Sequence, residues 1–360
     1  GAIFSLSAAA WTVTSPIWGR LSNRWGRRPV IVIGLAGFAT SMILFGITAQ
    51  LARSGIITGL WPVFICLLLS RSLFGLFGSG TPPASQAYIA DRTAPVERTD
   101  ALAGLTSGFT FGSVAGPAVA AALVTAFGLL SPVVLAALGA LVMAVLVWTK
   151  LPETAPPQAQ VTTVQDEYGR KLWRSAAVFP FLTYGAGLSL ITGVLVQTFP
   201  FALMDKLDVA YITAAQYTGP AMAMGAMATL MAQLVFIPRL KMTPKPLMVW
   251  GAVSLFVGAA LIMIATDFAT LVVGQMAMGL GSGFARAGFT AGASLAVDHR
   301  YQGNVAGLVV SANGIGFIIS PFFGLWLYQH AHPAAPFLFC MGILALLMVQ
   351  ARWRLPRLSI

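Results

Sequence analysis

The chain has 360 residues, of which 58% are hydrophobic and only 9% charged, and its mean hydropathy is +0.83. Almost every segment long enough to form a helix is apolar enough to enter a bilayer, whose core of about 30 Å needs about 20 apolar residues per helix. The formal net charge of +11 does not indicate nucleic-acid binding, because the cations cluster at the ends of apolar segments and not on a soluble basic face. Composition therefore predicts an all-α protein that crosses a membrane several times.

Breaks in the apolar pattern predict eleven transmembrane helices. Those of the first half lie at 2–18, 29–49, 61–84 with an extension to 90, 102–127 and 129–148. Those of the second half lie at 176–203, 211–237, 246–265, 268–297, 305–328 and 337–349.

The link between the first two predicted helices, Gly19 to Pro29, reads GRLSNRWGRRP and carries four arginines. Loops rich in Lys and Arg stay in the cytoplasm. If this link is cytoplasmic and the helices alternate, 17 of the 21 Lys and Arg fall on the cytoplasmic side, and only Arg53 and Lys206 on the other. The charge bias thus predicts the orientation and leaves two arginines, Arg71 and Arg286, inside helices.

A polar, proline-containing linker at 151–175 separates two predicted helical bundles, 1–150 and 176–360. The two halves repeat. Three residues recur 204 positions later in the second half: Gly75 as Gly279, Gly112 as Gly316 and Pro117 as Pro321. Internal repeats of this kind are typical of alternating-access transporters, in which two bundles rock about a site between them.

The repeat is uneven, since the second half has one more predicted helix than the first. The chain also begins with Gly directly inside an apolar segment. We therefore expect a further helix to precede position 1. Upstream coding sequence without another apolar helix would contradict this expectation.

The link Gly19 to Pro29 resembles the loop motif G-x-L-x-D-R-x-G-R-R-P of the major facilitator superfamily. The whole chain is most similar to that family's drug/proton antiporter branch, which includes the tetracycline efflux proteins. The resemblance implies the major facilitator fold, two pseudo-symmetric six-helix bundles, and a gating role for seven residues: Gly19, Leu21, Asn23, Arg24, Gly26, Arg27 and Arg28. Physically, glycines let helix ends approach closely, and arginines can pair with carbonyls or acids at the inner face. A plain positively charged loop is the alternative.

One position departs from the motif, because the usual acid is Asn23 here. An Asn keeps hydrogen bonds but lacks the charge that, by resemblance, helps to close the inner gate in the outward-facing state. We therefore expect a weaker latch, and we expect Asn23→Asp to shift the population toward the outward-facing state.

Gly104, Gly108, Gly112 and Gly116 recur every four residues ahead of Pro117. Such a stripe lies on one helix face and permits close contact with a neighbouring helix, and Pro117 would bend the helix beyond it. The stripe resembles the antiporter motif of the family's fifth helix. Generic helix packing is the alternative.

Arg71 and Arg286 lie inside predicted helices, where an unpaired guanidinium is costly. Arg71 and Gly75 resemble the family's fourth-helix motif R-x-x-x-G, which implies that Arg71 tunes the protonation of a nearby acid. Arg286 has no counterpart in the first half, and we interpret it as a cavity residue that binds an anionic substrate group or pairs with a carboxylate. Structural roles stay open for both.

Other polar side chains in the apolar segments are candidates for the substrate cavity. They are Gln275, Asn313, Gln197, Tyr184, Gln216 and Gln233. With Arg286, and with an apolar lining of Phe109, Phe289, Met222, Met224 and Met227, they predict a mixed, largely apolar pocket suited to amphiphilic organic molecules. Each could instead bond a neighbouring helix.

All ten acidic residues lie at or near helix ends or in loops, so this chain places no carboxylate at the membrane centre to carry a proton. By resemblance, the coupling acid is expected upstream, on the family's first helix. No cofactor or metal site is predicted, because Cys66 and Cys340 lie in apolar segments and His330 and His332 form an isolated pair.

Together these features predict a transporter, not an enzyme, that exports a small organic compound across the bacterial inner membrane against inward proton flow. It is expected to be a monomer whose partners are its small-molecule substrate, protons and the lipid bilayer. The alternatives are a proton-coupled importer, an exporter of a metabolite such as a siderophore, and a transport-inactive receptor or scaffold.

Overall fold

The computed structural model describes residues 2–153, 169 and 171–353, and this part of the chain is almost entirely helical. Its helices are α1 (Ala2–Trp25), α2 (Arg27–Arg53), α3 (Leu60–Phe77), α4 (Thr81–Arg92), α5 (Arg98–Phe127), α6 (Ser131–Lys150), α7 (Phe179–Leu207), α8 (Tyr211–Met231), α9 (Ile237–Leu240), α10 (Pro244–Ile264), α11 (Phe268–Leu295), α12 (Gln302–His330) and α13 (Ala335–Trp353). Each predicted segment falls on one of these helices or on a pair joined end to end. The prediction of an all-α fold is confirmed.

The polar link of the first two helices is shorter than predicted. Helix α1 continues to Trp25 and α2 begins at Arg27, so only Gly26 between them is not helical. Gly26 has a φ of +96°, which glycine adopts without the steric penalty of a side chain. The predicted boundaries at 18 and 29 are wrong, because the polar residues form the last turns of α1 and the first turn of α2.

Two helical spans each contain a short turn of a different helix type and continue beyond it. Helices α3 and α4 are joined by a 3-10 turn at Gly78–Gly80, which confirms the predicted extension of this span to residue 90. Helices α8 and α9 are joined by a π-helical turn, Ala232–Phe236, which contains Gln233. Single π-helical turns inside helices are frequent at functional positions.

Many of the helices are long enough to cross a membrane. Within the described residues, nine helical spans are long and apolar enough to cross a bilayer. The chain is therefore a multi-pass membrane protein.

The chain forms two compact units. Unit 1 comprises Gly1–Arg92, Ala115–Trp173 and Val297–Gly314, and unit 2 comprises Thr93–Val114, Arg174–Ala296 and Ile315–Ile360. These units differ from the predicted halves in two helices, since the first part of α5 belongs to unit 2 and the first part of α12 to unit 1. Most of the predicted linker, 151–175, lies outside the described residues.

Helices α10 and α11 of unit 2 touch through their backbones. A Cβ placed on Gly281 would lie 2.6 Å from the amide nitrogen of Leu255, and one on Gly258 would lie 2.7 Å from the carbonyl oxygen of Gly274. Small residues permit this approach, which favours helix association in lipid.

Gly75 and its repeat counterpart Gly279 make equivalent contacts in the two units. A Cβ on Gly75 would lie 2.5 Å from the carbonyl oxygen of Ser7 on α1, and one on Gly279 would overlap the backbone of Gly225 on α8. The predicted repeat is therefore also a repeat of helix packing.

The glycine stripe of α5 behaves differently. No atom of the described residues lies within 4 Å of a Cβ placed on Gly104, Gly108, Gly112 or Gly116. The expected close contact along this stripe is therefore not formed in this structure, and α5 stays helical past Pro117 to Phe127.

The repeat counterpart of that stripe, on α12, is closely packed. The backbone N–H of Gly316 donates to Ser189 Oγ at 3.1 Å. A Cβ on Gly193 would lie 2.7 Å from the Cβ of Ser320. Both neighbours belong to α7, so the two stripes share a sequence spacing but differ in whether a helix covers them.

The contrast between packed and open glycines gives a matched test. Gly279→Ala places a methyl group against the backbone of Gly225, so we expect it to destabilise the protein by about 1–3 kcal/mol. Gly108→Ala meets no described atom, and we expect it to be neutral or to stabilise by about 0.5–1 kcal/mol because Ala is the better helix former. Thermal unfolding of the purified variants measures both, and equal midpoints would contradict the packing described.

Candidate functional site

A cluster of polar residues lies in unit 1 where α1, α2, α4 and α12 meet. It is built around the link Gly19 to Pro29, and we call it the link cluster. Its core members are Ser22, Asn23, Arg27, Asp91, Glu153, Gly303 and Asn304.

Glu153 fixes the start of α2. Its carboxylate accepts the backbone N–H of Arg27 at 2.9 Å and that of Arg28 at 3.2 Å. An acid at a helix N-terminus satisfies free N–H groups and complements the helix dipole. A Cβ on Gly26 would lie 2.7 Å from Glu153 Oε1, so Gly26 is needed for space as well as for its positive φ.

This role of Glu153 was not predicted, because the sequence places Glu153 in the polar linker 151–175. The only indication in the sequence is its position three residues after the end of α6. Nothing in the order of residues connects it to the link 125 positions earlier.

Arg27 is the buried charge of the cluster. Its Nε lies 2.9 Å from Asp91 Oδ2, and both side chains are only 4% exposed. Its Nη1 donates to Ser22 Oγ at 2.7 Å and to Asn23 Oδ1 at 2.6 Å. Three acceptors, one of which is the counter-charge Asp91, thus compensate the guanidinium for its removal from water.

Asn23 connects α1 to the start of α12. Its Oδ1 accepts the backbone N–H of Gly303 at 3.1 Å in addition to Arg27. Its Nδ2 donates to Asn304 Oδ1. Asn304 in turn donates to the carbonyl oxygen of Gly169 at 3.1 Å, so its amide orientation is set by a second bond.

This geometry revises the expectation that an Asp at position 23 would strengthen the latch. A carboxylate could accept from Arg27 and Gly303, but it could not donate to Asn304. Two oxygens would then face each other unless the amide of Asn304 turned and gave up its bond to Gly169. Asn23 therefore suits its neighbours better than Asp would.

Small residues bring α12 against α1. A Cβ on Gly307 would lie 2.7 Å from Pro16 Cα, and Ser311 Oγ donates to the carbonyl oxygen of Thr12 at 2.5 Å. Gly303 lies against Gly19. Gly303, Gly307 and Ser311 are four residues apart, a small-residue stripe that sequence analysis did not single out although the spacing is visible.

The remaining residues of the link have separate roles. Arg28 lies over the Trp148 ring with its Cζ 4.8 Å from the centroid, and its Nε is 3.7 Å from Glu153 Oε2. Leu21 is half-buried, and Arg24 is exposed on the outer side of α1. Cation–π and partly exposed ionic contacts such as those of Arg28 are weaker than the buried Arg27 pair.

His299 adds a contact that sequence analysis missed. Its Nε2 lies 3.4 Å from Asp91 Oδ1. The imidazole is therefore placed to add a second positive charge to Asp91 when it is protonated, from the turn that precedes α12.

Arg71 lies in α3, apart from the link cluster. Its Cζ is 4.8 Å from the centroid of the Phe74 ring, and Ser7 Oγ donates to its backbone carbonyl at 2.9 Å. The guanidinium is thus partly stabilised by an aromatic face.

The predicted cavity residues are not all placed alike. Tyr184 is fully buried, and its hydroxyl donates to the carbonyl oxygen of Met248 at 2.6 Å, so it joins α7 to α10 and is not free for a ligand. Gln275 is 6% exposed with an unpaired Nε2, and Asn313 has an unpaired Oδ1. Gln197 is half-buried. Tyr184, Gln197 and Gln275 lie in unit 2, whereas Asn313 lies in unit 1.

Gln233 joins two helices of unit 2. It is 1% exposed, and its Oε1 accepts the hydroxyl of Thr110 on α5 at 3.1 Å. Its Nε2 is buried without a partner. Arg286 lies on α11 in unit 2.

Repeated helices of membrane-crossing length, joined by buried polar contacts at one end, define a multi-pass membrane protein with an internal repeat. A sequence profile of the Major Facilitator Superfamily matches residues 1–243 and 228–359. The chain belongs to the Major Facilitator Superfamily, a family of membrane transporters, which confirms the family predicted from the link.

Relatives of this chain include drug-resistance proteins. It is 30% identical to multidrug resistance protein 2 of Bacillus subtilis (strain 168) over 145 residues, which cover 40% of this chain and 33% of that protein. It is 34% identical to the class D tetracycline resistance protein of Salmonella ordonez over 119 residues, 33% of this chain and 27% of that protein. The matches thus span a third or less of these relatives.

A solved structure confirms the fold. The human organic anion transporter MFSD10 superposes with a TM-score of 0.75, over 97% of this chain and 82% of that chain, at 19% sequence identity. The predicted major facilitator fold is confirmed.

Breaking the buried ion pair should be costly. Asp91→Asn keeps the size of the side chain but removes the counter-charge of Arg27, so we expect a loss of about 3–5 kcal/mol in stability. Arg28→Gln disrupts a more exposed pair and should cost about 1 kcal/mol or less. Thermal unfolding in detergent compares the two, and a similar small loss for both would show that Arg27 is not buried as described.

Asn23 and Asn304 can be tested as a pair. We expect Asn23→Asp to destabilise the protein by about 1–3 kcal/mol, because Asn304 Oδ1 loses the hydrogen bond that Asn23 Nδ2 donates to it. With Asn304→Ala already present, the same change should be neutral or stabilising, since the new carboxylate then faces only donors. A double-mutant cycle of unfolding free energies measures this coupling. Stabilisation of equal size in both backgrounds would contradict it.

Proposed function

We propose that this protein exports a small amphiphilic organic compound across the bacterial inner membrane by alternating access, driven by inward movement of protons. It acts as a monomer in the lipid bilayer. The observation that carries the proposal is the link cluster, in which a helix of the first repeat is joined to a helix of the second by bonds suited to opening and closing.

The bonds of the cluster differ in strength according to the helices they connect. The buried charge pair Arg27–Asp91 joins α2 to α4, and both helices belong to the first repeat. The bonds from Asn23 to Gly303 and Asn304, which reach the second repeat, join neutral groups. Each neutral hydrogen bond contributes about 0.5–1.5 kcal/mol.

Separation of α1 from α12 would therefore break neutral hydrogen bonds and the partly exposed contact between His299 and Asp91, and would leave the buried pair Arg27–Asp91 intact. Leaving a charge unpaired would cost several kcal/mol more. Two conformations are both populated when their free energies differ by no more than a few kcal/mol. The link cluster is thus strong enough to close one end of the protein and weak enough to release it.

The relatives support the direction and the substrate class. The proteins that match at 30% and 34% identity are named for multidrug and tetracycline resistance. We carry over from these names a role in drug resistance, which export of the drug would provide.

Arg71 is proposed to act in proton coupling by positioning a proton-binding group. A guanidinium keeps its proton at all physiological pH values, so Arg71 does not itself carry the transported proton. Arg71 lies beside the Phe74 ring on α3. In an apolar membrane interior, a positive charge strongly lowers the pKa of a neighbouring acid.

Transport is tested in a bacterial strain lacking its own efflux proteins. Expression should lower the accumulation of tetracycline or a lipophilic dye, and an uncoupler should abolish the difference because the proton gradient drives export. Raised accumulation would indicate an importer, and no difference for any compound would favour a receptor or scaffold. Either result contradicts the proposal.

Arg71 variants separate coupling from folding in the same assay. Arg71→Lys keeps a positive charge, and we expect it to retain part of the uncoupler-sensitive export. Arg71→Gln should lose it while the protein still reaches the membrane. Full activity of Arg71→Gln would show that Arg71 has no part in coupling.

A further inference from the structure

Arg286 lies deep in unit 2, nine residues before the end of α11 at Leu295. It is enclosed by protein, yet its side chain keeps accessible surface. The residues on either side, Ala285 and Ala287, are 0% exposed. Arg286 is therefore surrounded by protein but retains surface that a ligand can contact.

The Arg286 guanidinium has no partner in the described part of the chain. No side chain or backbone carbonyl there accepts a hydrogen bond from it, and no carboxylate pairs with it. Arg27 is the contrast, since its buried charge is met by Asp91 and two further acceptors. Among the described residues, one inward-lying arginine is thus fully compensated and the other is not.

The face of α11 that carries Arg286 is polar. Ser282 and Gln275 precede it by four and eleven residues, a spacing that places all three side chains on one side of the helix. The Nε2 of Gln275 is buried without a hydrogen bond. Two donors on this face therefore lack acceptors.

Packing places Arg286 level with the π-helical turn. A Cβ on Gly283 would lie 2.7 Å from the Cβ of Ala232, and Ala287 packs with Ile237. Arg286 therefore lies alongside Ala232–Phe236, where Gln233 also has an unpaired Nε2. Irregular helical turns of this kind are common where ligands bind.

The charge balance of the interior points to the missing partner. The acids lie at helix ends or in loops, whereas Arg286 is well inside its helix. An arginine in a membrane interior costs several kcal/mol unless a cavity or a counter-charge compensates it. Donors without acceptors and a cation without an anion are complementary to one kind of ligand, an anion.

We infer that Arg286 binds the carboxylate of an amphiphilic organic anion. The planar guanidinium binds a carboxylate through two parallel hydrogen bonds, which gives both affinity and orientation. This inference rests on the proposed transport function and names the substrate class of its site. It predicts selection of organic acids over neutral or cationic compounds of the same shape.

Equilibrium binding tests the inference without requiring transport. The probes are 2-naphthylacetate and its methyl ester, which differ in charge but share the aromatic body, added to the purified full chain in nanodiscs. We expect wild type to bind the acid more tightly than the ester. Arg286→Gln should weaken binding of the acid at least about tenfold and leave the ester unchanged, because hydrogen bonds to a charged group are the stronger ones.

Two further variants control the comparison. Arg286→Lys keeps the positive charge but lacks the paired donors of the planar guanidinium. We expect it to retain a preference for the acid at reduced affinity. Arg53→Gln removes an exposed cation at the last residue of α2 and should change neither affinity. No preference for the acid in wild type, or an unchanged preference in Arg286→Gln, would overturn the inference.

Chemical modification keeps the test valid if Arg286→Gln does not fold. Phenylglyoxal reacts with accessible arginines, and peptide mass spectrometry measures its addition to Arg286 in wild type. We expect 2-naphthylacetate to protect Arg286 and the ester not to. Equal modification with and without the acid would overturn the inference.

The two proposals fail separately. Export of neutral or cationic drugs with no binding of the acid would refute the anion site and leave the transport function standing. Binding of the acid at Arg286 without uncoupler-sensitive transport of any compound would refute export and leave the anion site standing.

Discussion

The cost of placing a charge away from water is the constraint on which this structure depends. Only 9% of the residues are charged. The few charges that lie inside the protein are stabilised in different ways. Arg27 is surrounded by an acid and hydroxyl and amide acceptors, and this fully paired centre holds α2 to α4. Arg71 lies against an aromatic face. Arg286 has no partner among the described residues, and we propose that a ligand supplies one.

Close helix approach is the second constraint, and it explains why some glycine stripes matter more than others. The stripe Gly303, Gly307 and Ser311 lies directly on α1, whereas the equally regular stripe of α5 meets no described neighbour. Sequence spacing shows which residues share a face of a helix. It does not show which helix lies opposite, and only that neighbour decides whether a missing side chain is needed for packing.

The link illustrates how far a motif can be interpreted. Its arginines and glycines predicted the family and the orientation of the chain, and the family is confirmed. The motif suggested that Asn23 was a defect, because comparison with a consensus treats the position alone. Its amide instead forms one network with Gly303 and Asn304, 280 residues away, so the suitability of a side chain depends on partners that no local pattern identifies.

The sequence by itself determined the class of protein, the helical spans and the repeat, because hydrophobic length and helical spacing are local properties that the bilayer makes decisive. It also identified Arg71 and Arg286, since a charge in an apolar segment is conspicuous. The tertiary structure alone decided that Glu153 caps α2, that Tyr184 is a packing residue and that α12 meets α1. Those facts depend on contacts between distant segments, and a polar side chain serves structure or ligand according to whether its hydrogen bonds are already satisfied.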